Sequence, residues 1–148
     1  MNIKVMLDKD AIMPMRAHEW DAGLDLYSPS CEIVPRTEIM GVLSVQVGSR
    51  TIDTGVHIEI PKGYVGFIKS KSGLNVNHGL TAEGVIDSGY TGSIRVKLYN
   101  HTREDYAINE GDKIAQLVIL PIITPDLELV DEFEATERGD GGFGSTGR

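Results

Sequence analysis

Apolar and polar residues alternate along much of this chain. In TIDTGVHIEI, Val56, Ile58 and Ile60 fall on one side of an extended segment, with His57 and Glu59 on the other. In SIRVKLYN, Ile94, Val96 and Leu98 share a face opposite Arg95 and Lys97. A period of two is that of a half-buried β-strand. Further strands are predicted at NIKVMLD, CEIV, GVLSVQV, YVGFIKS, KIAQLVIL and DLELV. Glycine, proline and asparagine punctuate these short runs, which predicts an all-β sandwich, barrel or jelly roll. Helical signals are scarce, and one short helix is expected from Ser72 to His78, after Lys71. Neither an internal repeat nor a domain linker is visible.

Composition narrows the partners. The chain has 148 residues, about one domain, and 41% of them are hydrophobic, enough for one core. Its net charge is -8, from 14 basic and 22 acidic residues. Such a surface binds nucleic acid poorly, so no nucleic-acid partner is expected. An anionic ligand would need placed cations, backbone N–H groups or a metal, which favours a small phosphorylated molecule over a polymer. No apolar run approaches the roughly 18 residues of a membrane span, and MNIKVMLDKD has no signal-peptide core. The lone Cys31 has no internal disulfide partner. No membrane partner is expected, and the expected location is cytoplasmic.

The C-terminus changes character. Five of the last ten residues are glycine, and Arg138, Phe143, Ser145 and Thr146 lie in or beside this stretch. It reads either as a frayed tail or as a flap that a ligand orders. Gly139, Gly141 and Gly144 match G-x-G-x-x-G, but without the strand before and the helix after that a dinucleotide fold requires.

Four other segments can carry chemistry. Residues 61–74, PKGYVGFIKSKSGL, put Lys69, Ser70, Lys71, Ser72 and Gly73 at a strand end, as a helix cap or a phosphate site. In GVIDSGYTG, residues 84–92, Asp87 follows an apolar strand and is either a turn-former or a general base. In AGLDLYS, residues 22–28, Asp25 interrupts an apolar run to satisfy backbone donors or serve a hard metal. In GDKIAQLV, residues 111–118, Gln116 interrupts a strand and needs partners, from protein or ligand. His18, His57, His78 and His101 lack zinc-like spacing, and surface or packing roles are expected for them. Nothing resembles a nucleophilic triad.

The order of these segments is more specific than any one of them. AGLDLYS, SKSG, GVIDSGYTG, GDKIAQLV and RGDGGFGSTG resemble, in sequence, the five motifs of the trimeric dUTPase family, spanning residues 22–147. The resemblance implies a jelly-roll-like distorted β-barrel or sandwich subunit, assembled as a homotrimer with sites shared between subunits. A single barrel over residues 1–133 and a glycine-rich arm over 134–148 closing the site would follow. The implied activity is hydrolysis of dUTP to dUMP and pyrophosphate with Mg2+, keeping uracil out of DNA and supplying dUMP for thymidylate synthesis.

Carried across, Asp87 would be the general base that deprotonates the water attacking the α-phosphorus. Tyr90 would pack under the deoxyribose and exclude a 2′-hydroxyl. The backbone of Gly84, Val85 and Ile86 would pair with the uracil edge. Ser72 and Gly73 would hold phosphates, and Gln116 would contact the α-phosphate region. From the arm, Arg138 would reach phosphate and Phe143 would stack on uracil. Gly144, Ser145 and Thr146 would complete the γ-phosphate contact. Asp25 would support the magnesium through water, the metal being held mainly by substrate phosphates. Lys71 stands where the family usually has arginine, keeping the charge without the bidentate fork, so Lys69 and Lys71 are both candidates for that phosphate contact. A dCTP deaminase of the same fold, a regulatory binding protein on this scaffold and a plain β-structured assembly module are the competing readings. Asp87 within GVIDSGY disfavours the first, and the complete motif set disfavours the others.

Overall fold

The computed structural model describes residues 2–42 and 44–141. Twelve strands and one helix follow in order: β1 (Val5–Leu7), β2 (Gly23–Tyr27), β3 (Glu32–Val34), β4 (Glu38–Met40), β5 (Ser44–Gln46), β6 (Gly48–Asp53), β7 (Val56–Ile58), β8 (Tyr64–Lys69), α1 (Ser72–His78), β9 (Leu80–Ile86), β10 (Arg95–Asn100), β11 (Tyr106–Ile108) and β12 (Lys113–Pro121). A six-stranded antiparallel sheet runs β2-β12-β8-β9-β10-β6. Three two-stranded ribbons, β1–β7, β3–β11 and β4–β5, accompany it.

The core draws on both parts. Leu26, Ile52, Ile68, Val96, Leu98 and Leu117 come from the large sheet. Val56 and Ile58 come from the β1–β7 ribbon, and Val34 and Ile108 from β3–β11. The two ribbons thus close over one face of the sheet, burying two layers against each other. The expected all-β fold with one short helix is present, and the alternations expected from sequence are realised. Val56, Ile58, Ile60, Ile94, Val96 and Leu98 are all buried. The helix spans Ser72–His78 as expected, with Lys71 as its N-cap and Gly79, at φ 62°, closing it in the left-handed region.

Two strand expectations differ from the structure. TIDTGVHIEI is not one strand: Thr54 and Gly55, the latter at φ 65°, break it into β6 and β7, which pair in different sheets. The buried Thr54 hydroxyl makes this corner by donating to the Ile94 carbonyl at 2.7 Å and accepting from Val56 N–H at 3.2 Å. DLELV, residues 126–130, forms no strand, and Leu127 and Leu129 are 97% and 99% exposed. A strand needs a neighbour for its N–H and C=O groups, and this segment finds none among the described residues.

Candidate functional site

The residues singled out in the sequence gather into two groups on the sheet. The first lies where β2, β12 and the end of β8 meet the start of α1. Gln116 of β12 stands opposite Asp25 of β2 on one side and Lys69 of β8 on the other. Its carboxamide donates to the Ser70 carbonyl at 3.0 Å. A Cβ on Gly23 would sit 2.3 Å from the Gln116 side-chain oxygen, so Gly23 is what lets this carboxamide lie across β2. The Ser70 hydroxyl accepts from Ala82 N–H at 2.9 Å and donates to the Ala82 carbonyl at 3.1 Å, tying the strand end to β9. The chain then turns through Lys71 into Ser72 and Gly73.

Asp25 is the centre of this group. It is only 3% exposed. The Lys71 ammonium donates to Oδ1 at 2.5 Å, and the Lys113 ammonium lies 2.8 Å from Oδ2. The second contact is an ion pair outside good hydrogen-bond direction. Burial pushes the Asp25 carboxyl up, but the close ammonium groups and positive charges of Lys113 and Lys71 outweigh it and hold it below the usual carboxylate value. Asp25 in turn raises the Lys113 ammonium through their close ion-pair contact and its negative charge.

This arrangement revises the expectation for Asp25. Both oxygens already face ammonium groups, and a divalent cation there would be repelled by both lysines. Among the described residues, no group of three or more His, Cys, Asp or Glu side chains is placed to hold a metal. These residues do not make a protein-held magnesium site. Asp25 instead neutralises and aims two lysines. Lys113 was not singled out from the sequence, although it opens the strand of the GDKIAQLV segment.

The second group is the β9–β10 hairpin. β9 pairs with β8 along Gly66↔Ile86, Phe67↔Val85, Ile68↔Gly84 and Lys69↔Glu83. β10 pairs with β9 only from Leu98↔Ala82 to Asn100↔Leu80, while its Arg95, Val96 and Lys97 pair with β6. The hairpin therefore splits, and β9 from Glu83 to Ile86 has no strand on the β10 side. Gly84, Val85 and Ile86 lie beside this split. Asp87 follows it, exposed, in a turn closed by Tyr90 N–H on the Asp87 carbonyl at 3.1 Å. The Tyr90 hydroxyl donates to the Ser93 carbonyl at 3.0 Å. The Tyr90 ring lies so close over Gly92 that a Cβ there would be 2.5 Å from its oxygen.

The two groups occupy opposite ends of the β8–β9 ladder. Lys69 and Ser70 are beside Glu83, whereas Asp87 lies beyond the Gly66↔Ile86 pair. Four residue steps along the chain separate Glu83 from Asp87, about 13 Å of rise. The single chain thus does not bring Asp87 and Tyr90 onto Lys71, Ser72, Gly73 and Gln116. Asp87 lines none of five cavities of about 280–720 Å³ among the described residues. Nor does it point into a dry interior. Arg138 is exposed and bonds locally, its Nε donating to the Gly141 carbonyl at 3.0 Å. Phe143, Gly144, Ser145 and Thr146 lie outside the described residues.

A family model described as dUTPase matches residues 9–147. The chain belongs to the dUTPase family. The deoxyuridine 5'-triphosphate nucleotidohydrolase of Paramecium bursaria Chlorella virus 1 is 43% identical over 142 residues, covering 95% of this chain and 94% of that protein. The dUTPase of Staphylococcus bacteriophage 80alpha with dUPNHPP superposes with a TM-score of 0.86 at 34% identity, over 99% of each chain. A mutant dUTPase of phage phi11 of S. aureus, in which a structural Mg(II) ion is coordinated, gives 0.78 at 33% identity, over 91% of this chain and 100% of that one. The dUTPase match runs through both groups and the glycine-rich tail. Lys113 and Gly23 therefore sit inside a dUTPase frame. Among the described residues, no helix of this dUTPase is long and apolar enough to cross a membrane.

Proposed function

We propose that this dUTPase, a nucleotidohydrolase acting on dUTP, cleaves between the α- and β-phosphates, with Asp87 as general base for the attacking water. The observation that carries this reading is the split β9–β10 hairpin with Asp87 at its tip. A base edge can hydrogen-bond to strand backbone only where that backbone lacks a neighbouring strand. The Glu83–Ile86 stretch is such an edge, and Asp87 follows it directly.

The steps follow from the side chains. The backbone of Gly84, Val85 and Ile86 reads uracil, and the Tyr90 ring, held by its bond to Ser93, packs under deoxyribose where a 2′-hydroxyl would clash. Lys71, Ser72, Gly73 and Gln116 take the phosphates. The Asp87 carboxylate accepts a proton from water as its oxygen bonds to the α-phosphorus and pyrophosphate leaves, yielding dUMP. A placed carboxylate base contributes roughly 10²–10⁴-fold, and orientation and charge supply the rest. Bound with the triphosphate rather than held by these side chains, magnesium would supply neutralisation of part of the substrate's charge.

The separation of the two groups along one ladder supports a homotrimer in which one subunit's hairpin faces another's phosphate group. The exposed apolar run from Ile122 to Phe133 supports the same assembly, because it offers surface for a neighbour to cover. The barrel over residues 1–133 would then be closed by the 134–148 arm, with Arg138, Phe143, Gly144, Ser145 and Thr146 completing the pocket. The product would keep uracil out of DNA and supply dUMP for thymidylate synthesis in the cytoplasm.

The deciding experiment mixes the full chain with dUTP and Mg2+ and assays pyrophosphate and dUMP together. Stoichiometric release of both is expected. Release of orthophosphate would move the cleavage to another bond, and ammonia from dCTP would point to deamination.

A further inference from the structure

The loop after β9 is fastened to a segment outside both groups. Between Asp53 and His57, where β6 turns into β7, several contacts reach residues 91–95. His57 Nδ1 lies 2.8 Å from the Thr91 carbonyl. The Ser93 hydroxyl and Arg95 Nε both donate to the Asp53 carboxylate, the latter at 3.2 Å. Thr54 N–H donates to the Ile94 carbonyl at 3.0 Å, and Ile94 N–H to the Val56 carbonyl at 2.8 Å. Among the described residues, the other half of the loop, Asp87 to Tyr90, has only its own turn bond and the Tyr90–Ser93 bond. Its pose is therefore inherited from residues 91–95. Of these contacts, the one from His57 lies nearest Tyr90 in sequence.

We propose that His57 is a positioning residue for dUTP hydrolysis: its Nδ1–H, donated to the Thr91 carbonyl, holds the loop that carries Asp87 and Tyr90, and protonation of the ring tightens that hold. The proposal rests on the reading that this hairpin carries the substrate and the base. A carbonyl accepts, so Nδ1 bears hydrogen in the neutral ring as well as in the cation. The proton that comes and goes is on Nε2, which lies 3.3 Å from the Asp8 carboxylate, outside good hydrogen-bond direction. Asp8 is itself anchored, its N–H donating to the Gly55 carbonyl at 2.8 Å.

The surrounding charges favour the cation. Asp8 follows β1 and Asp53 ends β6, both acidic. Lys4 and Glu59, on the remaining sides, pair with each other at 2.9 Å. The Thr91 carbonyl first, then Asp8, raise His57 above its ordinary value near 6.5. With the folded value raised, the reinforced hold is fully present below the ordinary histidine range and is lost as pH rises through the raised value. A cationic ring is also the stronger donor to Thr91.

The test compares His57→Leu, His57→Asn and the unaltered full chain in dUTP hydrolysis with Mg2+ across about pH 5.5–9. Thermal melting is recorded beside it. His57→Leu removes the donor, and kcat/KM should fall roughly tenfold to hundredfold, mostly in kcat, as a displaced base predicts. In His57→Asn the amide N–H reaches the place of Nδ1–H but does not titrate, so most of the turnover should return. The ratio of unaltered to His57→Asn activity should fall as pH rises through the histidine range. Taking the ratio cancels every other titration, because both proteins share it. Unchanged kcat/KM in a folded His57→Leu, a His57→Asn no better than His57→Leu, or a ratio flat with pH would each overturn the proposal. Asp87→Asn, run alongside, separates the failures. If it keeps full turnover, the hairpin reading itself is wrong; if it is inactive while His57→Leu is unchanged, only the role of His57 is lost.

Discussion

The two groups are built on different terms. The one around Asp25 is braced from within: a buried carboxylate is met by two ammonium groups, and the carboxamide of Gln116 is bonded to Ser70 and seated over Gly23. Its charges are aimed by contacts within the protein, so a phosphate bound there as proposed would require little ordering. The hairpin is open. β10 has left β9, Asp87 is exposed, and the loop depends on outside support from residues 53–57. In the proposed roles, a phosphate cradle would gain from fixed charge, whereas a base-reading edge would have to stay unpaired until a nucleobase pairs with it. The contrast teaches that stability and turnover are separable here, because they rest mainly on different residues.

The sharpest way to break that contrast is Asp87→Asn. Turnover should fall about 10²–10⁴-fold while thermal melting and dUPNHPP binding persist. Full activity would leave the hairpin without its assigned chemistry. Next is removal of residues 138–148, which should cost on the order of 10²-fold in kcat/KM and leave the melting temperature near its original value. An active truncation would confine the site to the barrel.

Asp25→Asn reverses the pattern, with the larger share of its effect in stability. Two lysines lose their counter-ion, and the fold should weaken by about 1–3 kcal/mol, measured by denaturant unfolding near neutral pH. The pH sign follows from the lowered folded value of Asp25. Its contribution is fully present above the unfolded carboxylate value near 3.9 and is lost as pH falls through the lower folded value. Melting curves in acid should therefore converge for the two proteins. The smallest effect is expected from Gly23→Ala, where the new methyl displaces the Gln116 carboxamide. A loss of about 1–3 kcal/mol from overpacking, or less if Gln116 swings free, should come with a severalfold rise in KM. An unchanged KM would detach Gln116 from phosphate binding.

Some of this was legible in the residues alone. Period-two alternation marked the buried faces of β7 and β10, because a strand's geometry puts alternate side chains on opposite sides whatever surrounds it. The turn at Asp87 and the helix after Lys71 were marked by local chemistry. Lys113 was not legible, for a specific reason. A regular strand would put residues 113 and 116 on opposite faces, but β12 bulges between Lys113 and Ala115, which sets Lys113 opposite Tyr27. The bulge turns Lys113 onto the face of Asp25 and Gln116. His57 was equally hidden, since its alternation with Val56 and Ile58 marks an outward face and says nothing of what stands there.

The order of five short segments determined the family and its dUTP-hydrolysing activity, and nominated the residues proposed to perform it, because those depend on residue type and position along the chain. The tertiary structure alone decided which charges neutralise one another, where β10 parts from β9, and which distant segment steadies the hairpin. Those outcomes turn on a one-residue bulge, a broken strand pair and a corner at Thr54 and Gly55. Each brings together residues far apart in the chain, and no local propensity records such a meeting.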